Sequence, residues 1–338
     1  MAGQTPFQPE PVQPQAARPA DPLAQMAHFA DHLENAIARV VKGQAHVVRH
    51  MLVSLLVQGH VLLEGNPGTA KTLLVRTLGR LCSLDFKRIQ FTPDLMPSDI
   101  TGTSIFRPTS AEFEFRKGPV FTQLLLADEI NRAPARTQAA LLQSMQERIV
   151  SADGADYNLG DVFCVVATQN PLESEGTYPL PEAQLDRFLF KLMVDFPDQT
   201  TELEIFKQHG APKSGDDLEA AGLQPLFGLD EIRAMRQRVY GVEVRPDIAG
   251  YALAIIRHTR EHPFLRAGAS TRAGVMLLRA ARAAAATYGR GFVIPDDVRE
   301  LAVPALRHRL YRTAAAELEG VSTDSILEDI ISRVPVPR

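Results

Sequence analysis

Between Leu62 and Thr72 the chain reads LLEGNPGTAKT. A glycine-rich turn ending in Lys-Thr is a residue set that can hold a polyphosphate. Gly65 and Gly68 let the backbone turn its N–H groups inward, and a helix starting near Lys71 adds its positive end. Lys71 can reach β- and γ-phosphates as a point charge, and Thr72 can offer a hydroxyl to Mg2+. The usual spelling, G-x-x-x-x-G-K-[ST], has glycine before the lysine. Here Ala70 stands there, with Asn66, Pro67 and Thr69 filling the loop. Spelled this way, the stretch alone leaves room for an ordinary Gly-Pro turn that caps a helix.

Four further features bear on the question. LLLADE ends in Asp128 and Glu129, 53 to 58 residues beyond Lys71. An apolar strand ending in two acids puts carboxylates where open α/β sheets bind ligands. Asp128 can hold a metal shell, and Glu129 can polarise a water toward a γ-phosphate. VVATQNP ends a second apolar strand with Asn170, whose amide can hydrogen-bond that water or the phosphate. EAQLDRF places Arg187, always charged, just before another strand. A guanidinium suits the charge that develops in phosphoryl transfer, whereas a structural Asp-Arg pair is the plainer alternative. GASTRAGVMLL puts Arg272 at a helix start, where a cap-region arginine is the plainer reading.

These residues need a scaffold. Two amphipathic helices are expected from Leu23 to about Val57, broken at Lys42–Gln44. Apolar strands are expected at 61–64, 86–91, 121–127, 162–168 and 188–194, most of them separated by helices. That pattern is a five-stranded parallel sheet with helices on both faces. Residues 92–119 read as a hairpin-bearing insertion, and Asp153-Gly154 marks a second hairpin at about 148–160. The nucleotide-binding α/β unit is expected over 23–209, a linker over 210–225, and a small all-helical unit of four helices over 226–338. Residues 1–22, rich in Pro, Gln and Ala, read as a disordered tail.

The bulk numbers agree with a two-unit protein of 338 residues. A formal net charge of -4 argues against a protein that coats nucleic acid. No apolar run reaches the ~18 residues of a membrane span, and no signal layout opens the chain. Cys82 and Cys164 sit in apolar segments, as buried thiols of a reducing, cytoplasmic setting do. The histidines show no metal-ligand spacing.

Taken in order, these features resemble the AAA+ ATPases, and within them the MoxR family, over about residues 30 to 312. GNPGTAKT, RIQFTPDLMPSDITG, FEFRKGPVF, LLLADEINRAPARTQAALLQSMQER, ATQNP, EGTYPLPEAQLDRF and GASTRA are the most specific stretches. The resemblance implies an AAA+ P-loop domain with an all-helical lid, ATP as substrate and Mg2+ as cofactor. By position it makes Lys71 and Thr72 the phosphate and metal residues, and Asp128 and Glu129 the metal-holding and water-activating acids. Asn170 becomes the first sensor, Arg187 the finger that reaches a neighbouring subunit's nucleotide, and Arg272 the second sensor. VVKGQ, with Val41 and Gly43, matches the segment flanking adenine. Family members commonly carry alanine before the lysine. At the start of a helix, Ala70 is expected to have an ordinary negative φ.

The resemblance also implies a ring, expected to be a hexamer, that remodels a client protein with a separate partner carrying a von Willebrand factor A (VWA) domain. A metal-chelatase motor subunit shares the same chemistry. A nucleic-acid motor fits less well: the insertion holds Arg107, Arg116 and Lys117 against Asp94, Asp99, Glu112 and Glu114, which is no phosphate-tracking surface. A switch that binds ATP without hydrolysing it would have no use for Glu129.

Overall fold

The structure, a computed structural model, describes residues 21–109, 111–172, 176–209 and 222–337. The expected tail therefore lies outside the described residues up to position 20, as does most of the expected linker. The chain enters on α1 (Pro22–Ala38), with Asp21 accepting from the Leu23 N–H as a cap and Pro22 at the first helical position. Then follow α2 (Ala45–Leu56), β1 (Val61–Glu64), α3 (Lys71–Leu81) and β2 (Phe86–Gln90). The insertion contains a short helix α4 (Pro97–Thr101) and the hairpin β3 (Gly102–Arg107) and β4 (Glu112–Lys117). Next come β5 (Leu124–Asp128), α5 (Ala135–Glu147) and the hairpin β6 (Ile149–Ala152) and β7 (Ala155–Asn158). β8 (Cys164–Gln169), α6 (Glu182–Leu185), β9 (Phe190–Met193) and α7 (Gln199–His209) complete this half.

The five strands form one parallel sheet in the order β2-β5-β8-β1-β9. Side chains alternate across it. Leu63, Leu126, Val166 and Leu192 join one apolar cluster, and Leu62, Leu125 and Val165 join another on the opposite face. Burial on both faces explains why the central strands β1, β5 and β8 read as near-continuous apolar runs, whereas the edge strand β2 carries Lys87, Arg88 and Gln90.

The C-terminal half carries α8 (Leu229–Tyr240), α9 (Pro246–Glu261), β10 (Leu265–Ala267), α10 (Thr271–Thr287), α11 (Pro295–Leu306), β11 (Tyr311–Arg312), α12 (Ala314–Leu318) and α13 (Thr323–Arg333). Beyond the four expected helices, this region adds α12, α13 and the small β10–β11 ladder. The helical half is continuous with the sheet's core: Leu33, Met51, Leu74, Ile256, Leu277 and Leu301 belong to one cluster. Buried arginines tie the halves together. Arg236 donates to Leu55 O and Asp161 O, each at 2.6 Å. Cys82 and Cys164 are buried free thiols. Among the described residues no helix is long and apolar enough to cross a membrane.

Candidate nucleotide site

The loop Gly65–Ala70 leaves the C-terminal end of β1 and enters α3. Gly65 is required by crowding: a Cβ there would lie 2.2 Å from Val194 O. Gly68 is required by conformation, with φ +83. The Lys71 ammonium donates to Gly65 O and Asn66 O, both at 2.8 Å, and to Thr69 Oγ1 at 3.2 Å. Burial pulls its pKa below the ordinary lysine value, and Asp128 and Glu129 oppose that shift. Ala70 departs from expectation. It has φ 59 and ψ 23, the left-handed conformation, and not a negative φ. As the N-cap it stands before the first helical residue, and the loop's last turn bends there. An alanine in this conformation costs about 1–2 kcal/mol relative to glycine.

Asp128 closes β5 and is nearly buried. Its Oδ1 accepts from Thr168 Oγ1 at 2.6 Å. Its Oδ2 accepts from Arg88 Nε at 3.0 Å, pairs with the Arg88 guanidinium at 2.8 Å, and lies 3.3 Å from Thr72 Oγ1. A hydroxyl and a carboxylate converging from two elements are hard oxygen donors that suit Mg2+, which takes few protein ligands and shares the rest with phosphates and water. Glu129 also has a left-handed backbone, φ 56 and ψ 51. Its N–H donates to Thr168 Oγ1 at 2.8 Å, and its Oε2 accepts from Gln90 Nε2 at 2.6 Å and Arg132 Nη1 at 2.9 Å. Asn170 follows β8, buried, with Oδ1 accepting from the Leu172 N–H.

Lys71, Thr72, Asp128, Glu129 and Asn170 thus line one cavity of about 450 Å3 at the C-terminal sheet edge. Arg88, Gln90 and Thr168 complete the polar network; they lie within RIQFTPDLMPSDITG and VVATQNP, stretches that by themselves give them no role. Arg88 and Gln90 alternate along β2, whose pairing with β5 sets Gln90 opposite Asp128. Only that register could have found them.

A second cavity of about 400 Å3 adjoins the first and shares Gly68, Thr69, Ala70 and Leu73 with it. Val40, Val41, Phe196, Pro197, Ile205 and Phe206 supply apolar walls, a fit for an adenine ring. Gly43 has φ +78, and a Cβ there would press on Pro197 Cβ at 3.3 Å. The VVKGQ turn is thereby held against the segment after β9.

Arg187 lies elsewhere. It precedes β9, whose first residue pairs with Val61 at the start of β1. Lys71 follows the opposite end of the same sheet. β1 has four residues, which at about 3.3 Å each separate the edges by roughly 13 Å. Arg187 lines a groove of about 490 Å3 with Gln58, His60, Arg148, Arg272 and Arg279. Arg272, expected beside a nucleotide, lines this groove and not the chain's own phosphate cavity. Arg279, one residue the motifs did not single out, shares its helix face at i, i+7. The groove and the phosphate cavity have no residue in common. His60 is held neutral by burial, with its pKa lowered to about 4. It accepts from the Val165 N–H and pairs with Met145 O.

The chain matches the ATPase family associated with various cellular activities (AAA) over residues 60–190, and the AAA lid domain over residues 257–330. It is 42% identical to Chaperone MoxR1 of Mycobacterium tuberculosis over 329 residues, covering 94% of this chain and 85% of that protein. The chain belongs to the MoxR family of AAA ATPases. It is also 44% identical over 301 residues to YeaC, an uncharacterised Bacillus subtilis protein, across 89% of this chain and 92% of that one. A crystal structure of a presumed ATPase from Cytophaga hutchinsonii superposes with a TM-score of 0.85 at 38% identity, covering 94% of this chain and 97% of that one. A MoxR-family ATPase binds nucleotide, and the two adjoining cavities are the candidate site for it.

Proposed function

We propose that this MoxR ATPase hydrolyses ATP only at interfaces between subunits of a ring, a hexamer by family resemblance, and uses the cycle to remodel a client protein. One observation carries the reading: the acids and lysine stand at the C-terminal sheet edge, and Arg187 and Arg272 face a separate groove at the other. A chain so arranged cannot bring its own arginines to its own γ-phosphate, and a neighbour's groove can.

In this reading the loop amides and Lys71 hold the phosphates, while Val41, Gly43 and the walls around Phe196 and Phe206 hold the base. Thr72 and Asp128 hold Mg2+, which when bound neutralises β- and γ-phosphate oxygens. Glu129 accepts the proton of the attacking water, and Asn170 orients that water by its amide. Arg187 and Arg272 of the adjoining subunit meet the charge that spreads over the γ-phosphoryl oxygens. The name of the Mycobacterium relative, a chaperone, supports a protein client. A VWA-domain protein is the proposed partner, and a cytoplasmic setting suits the two buried thiols.

The test is a mixture. Arg187→Ala alone keeps ATP binding but loses about 10³-fold or more in turnover, the scale of arginine fingers. Adding Glu129→Gln, which lacks the acid but carries the arginine, restores part of the activity. Normal hydrolysis by Arg187→Ala alone overturns the assignment. Capture of a client and a VWA protein on the Glu129→Gln form under ATP tests the remodelling role.

A further inference from the structure

α11 is followed at once by the basic run RHRLYR, residues 307–312. A run of this kind reads as an exposed helix end, yet His308 and Arg309 are each only 4% exposed. Arg309 spreads its guanidinium over one short segment of the sheet half. Its Nε donates to Asp186 Oδ1 at 2.7 Å. Its Nη2 donates to Asp186 O at 3.0 Å and to Phe188 O at 2.6 Å. Its Nη1 donates to Leu189 O at 3.2 Å and to Ala305 O of the preceding helix α11. His308 Nε2 adds a bond to Phe188 O at 3.0 Å. The other Asp186 oxygen lies 3.9 Å from Arg272 Nε. The residue between these anchored positions is Arg187, whose side chain lines the groove.

We infer that Arg309 is a positioning residue for catalysis across the subunit interface: it clamps the backbone on both sides of Arg187 and, through Asp186, orients Arg272. The inference rests on the reading of Arg187 given under Proposed function. The segment needs such a clamp. α6 has only four residues, too short to be rigid by its own hydrogen bonds. β9 begins three residues after Arg187. A guanidinium meets this set of oxygens because its five N–H groups lie in a fixed planar fork, which an ammonium cannot reproduce. The anchor comes from the helical half, so movement of that half against the sheet moves Arg187 and Arg272 together. Arg236 supplies a contrast: it is an equally buried tie between the same halves, but its carbonyl partners are Leu55 and Asp161, outside the Arg187 segment.

The experiment compares Arg309→Lys, Asp186→Asn, Arg187→Ala and, as a control, Arg236→Lys, each alone and mixed with Glu129→Gln. Arg309→Lys is expected to lower kcat about 10- to 100-fold, the scale of a misplaced catalytic group, with binding of a fluorescent ATP analogue changed less than about two-fold. Amide hydrogen exchange at Phe188 and Leu189 rises, while exchange at Val166 and Ala167 in β8 does not. The mixture with Glu129→Gln regains activity as the Arg187→Ala mixture does, because the Arg309→Lys chain still offers an intact ATP site. Arg236→Lys lowers thermal stability without that interface-specific pattern. Where Arg309→Lys is not recovered folded, Asp186→Asn carries the same test, since its carboxylate is partly exposed and the change keeps its shape. Unchanged kcat overturns the inference. So does a lost kcat that the mixture fails to restore while the Arg187→Ala mixture recovers, or failure of both variants to fold: Arg309 is then a structural tie alone. No recovery in the Arg187→Ala mixture overturns the interface reading itself, and the inference falls with it.

Discussion

The side-chain amide of Gln90 donates to Glu129 Oε2 at 2.6 Å, from β2 to the residue just after β5. The carboxylate proposed to activate water is thus already engaged, and Arg132 holds the same oxygen. A hydrogen bond to a charged group contributes about 1.5–3 kcal/mol, so this contact restrains Glu129 in one orientation. Gln90→Ala is expected to raise basal ATPase by about five-fold, equivalent to roughly 1 kcal/mol of barrier, with ATP affinity unchanged. Steady-state kinetics and nucleotide titration check it; a fall in kcat would mean that Gln90 presents Glu129 instead of restraining it.

Arg88 places its guanidinium on Asp128 Oδ2, the oxygen nearest Thr72. A bound cation and Arg88 cannot both fill that position. Arg88→Ala should therefore lower the Mg2+ concentration that half-saturates turnover by about three-fold, a surface-pair contribution of about 0.7 kcal/mol. An increase in that concentration would show that Arg88 helps to hold the metal-nucleotide.

Ala70 in the left-handed region makes a stability prediction. Ala70→Gly removes a steric penalty of about 1–2 kcal/mol but loosens the unfolded chain by about 0.5–1 kcal/mol. The net expectation is a gain of about 1 kcal/mol, or roughly 2 °C in Tm. Differential scanning calorimetry reads this directly. A ten-fold or greater gain in ATP affinity from the same change would mark the alanine as a device that weakens nucleotide binding.

Buried histidines predict acid sensitivity. His50 and His60 have pKa values lowered to about 4, first by burial. In the unfolded chain they titrate near 6.5. Between those values the unfolded state binds more protons, so the contribution of each neutral histidine is present above pH 6.5 and is lost as pH falls toward 4. Each adds up to about 1.4 kcal/mol per pH unit in that window. His60→Gln retains a donor and an acceptor for Met145 O and the Val165 N–H. Its proton uptake on unfolding near pH 5.5 should drop by about one. An unchanged pH slope of stability would exclude His60 from this effect.

Much of the phosphate cavity was legible because its residues sit at strand ends or in a loop whose spelling reports backbone geometry. GNPGTAKT and LLLADE announce a turn and a buried strand, and the parallel sheet brings strand ends to one edge. The insertion hairpin and the Asp153-Gly154 turn were legible for the same local reason, and both central residues of that turn have positive φ. Arg88, Gln90 and Thr168 were not. Their roles depend on which strand lies beside which, and β2 is a sheet neighbour of β5 and not of β1. Ala70 takes a positive φ although helix position alone suggests a negative one, because the cap residue takes its φ from the loop before it.

Residue order alone settles the local chemistry: which loop bends, which strands bury both faces, and which acids, amide and arginines stand at element ends. Which of these residues can meet is a matter of how the chain packs. Parallel pairing of β1 with β9 puts Arg187 and Lys71 at opposite edges of one sheet, and the fold buries Arg309 beneath Arg187 across more than a hundred residues. Neither fact is encoded in spacing, because both arise from pairing and packing between segments distant in the chain.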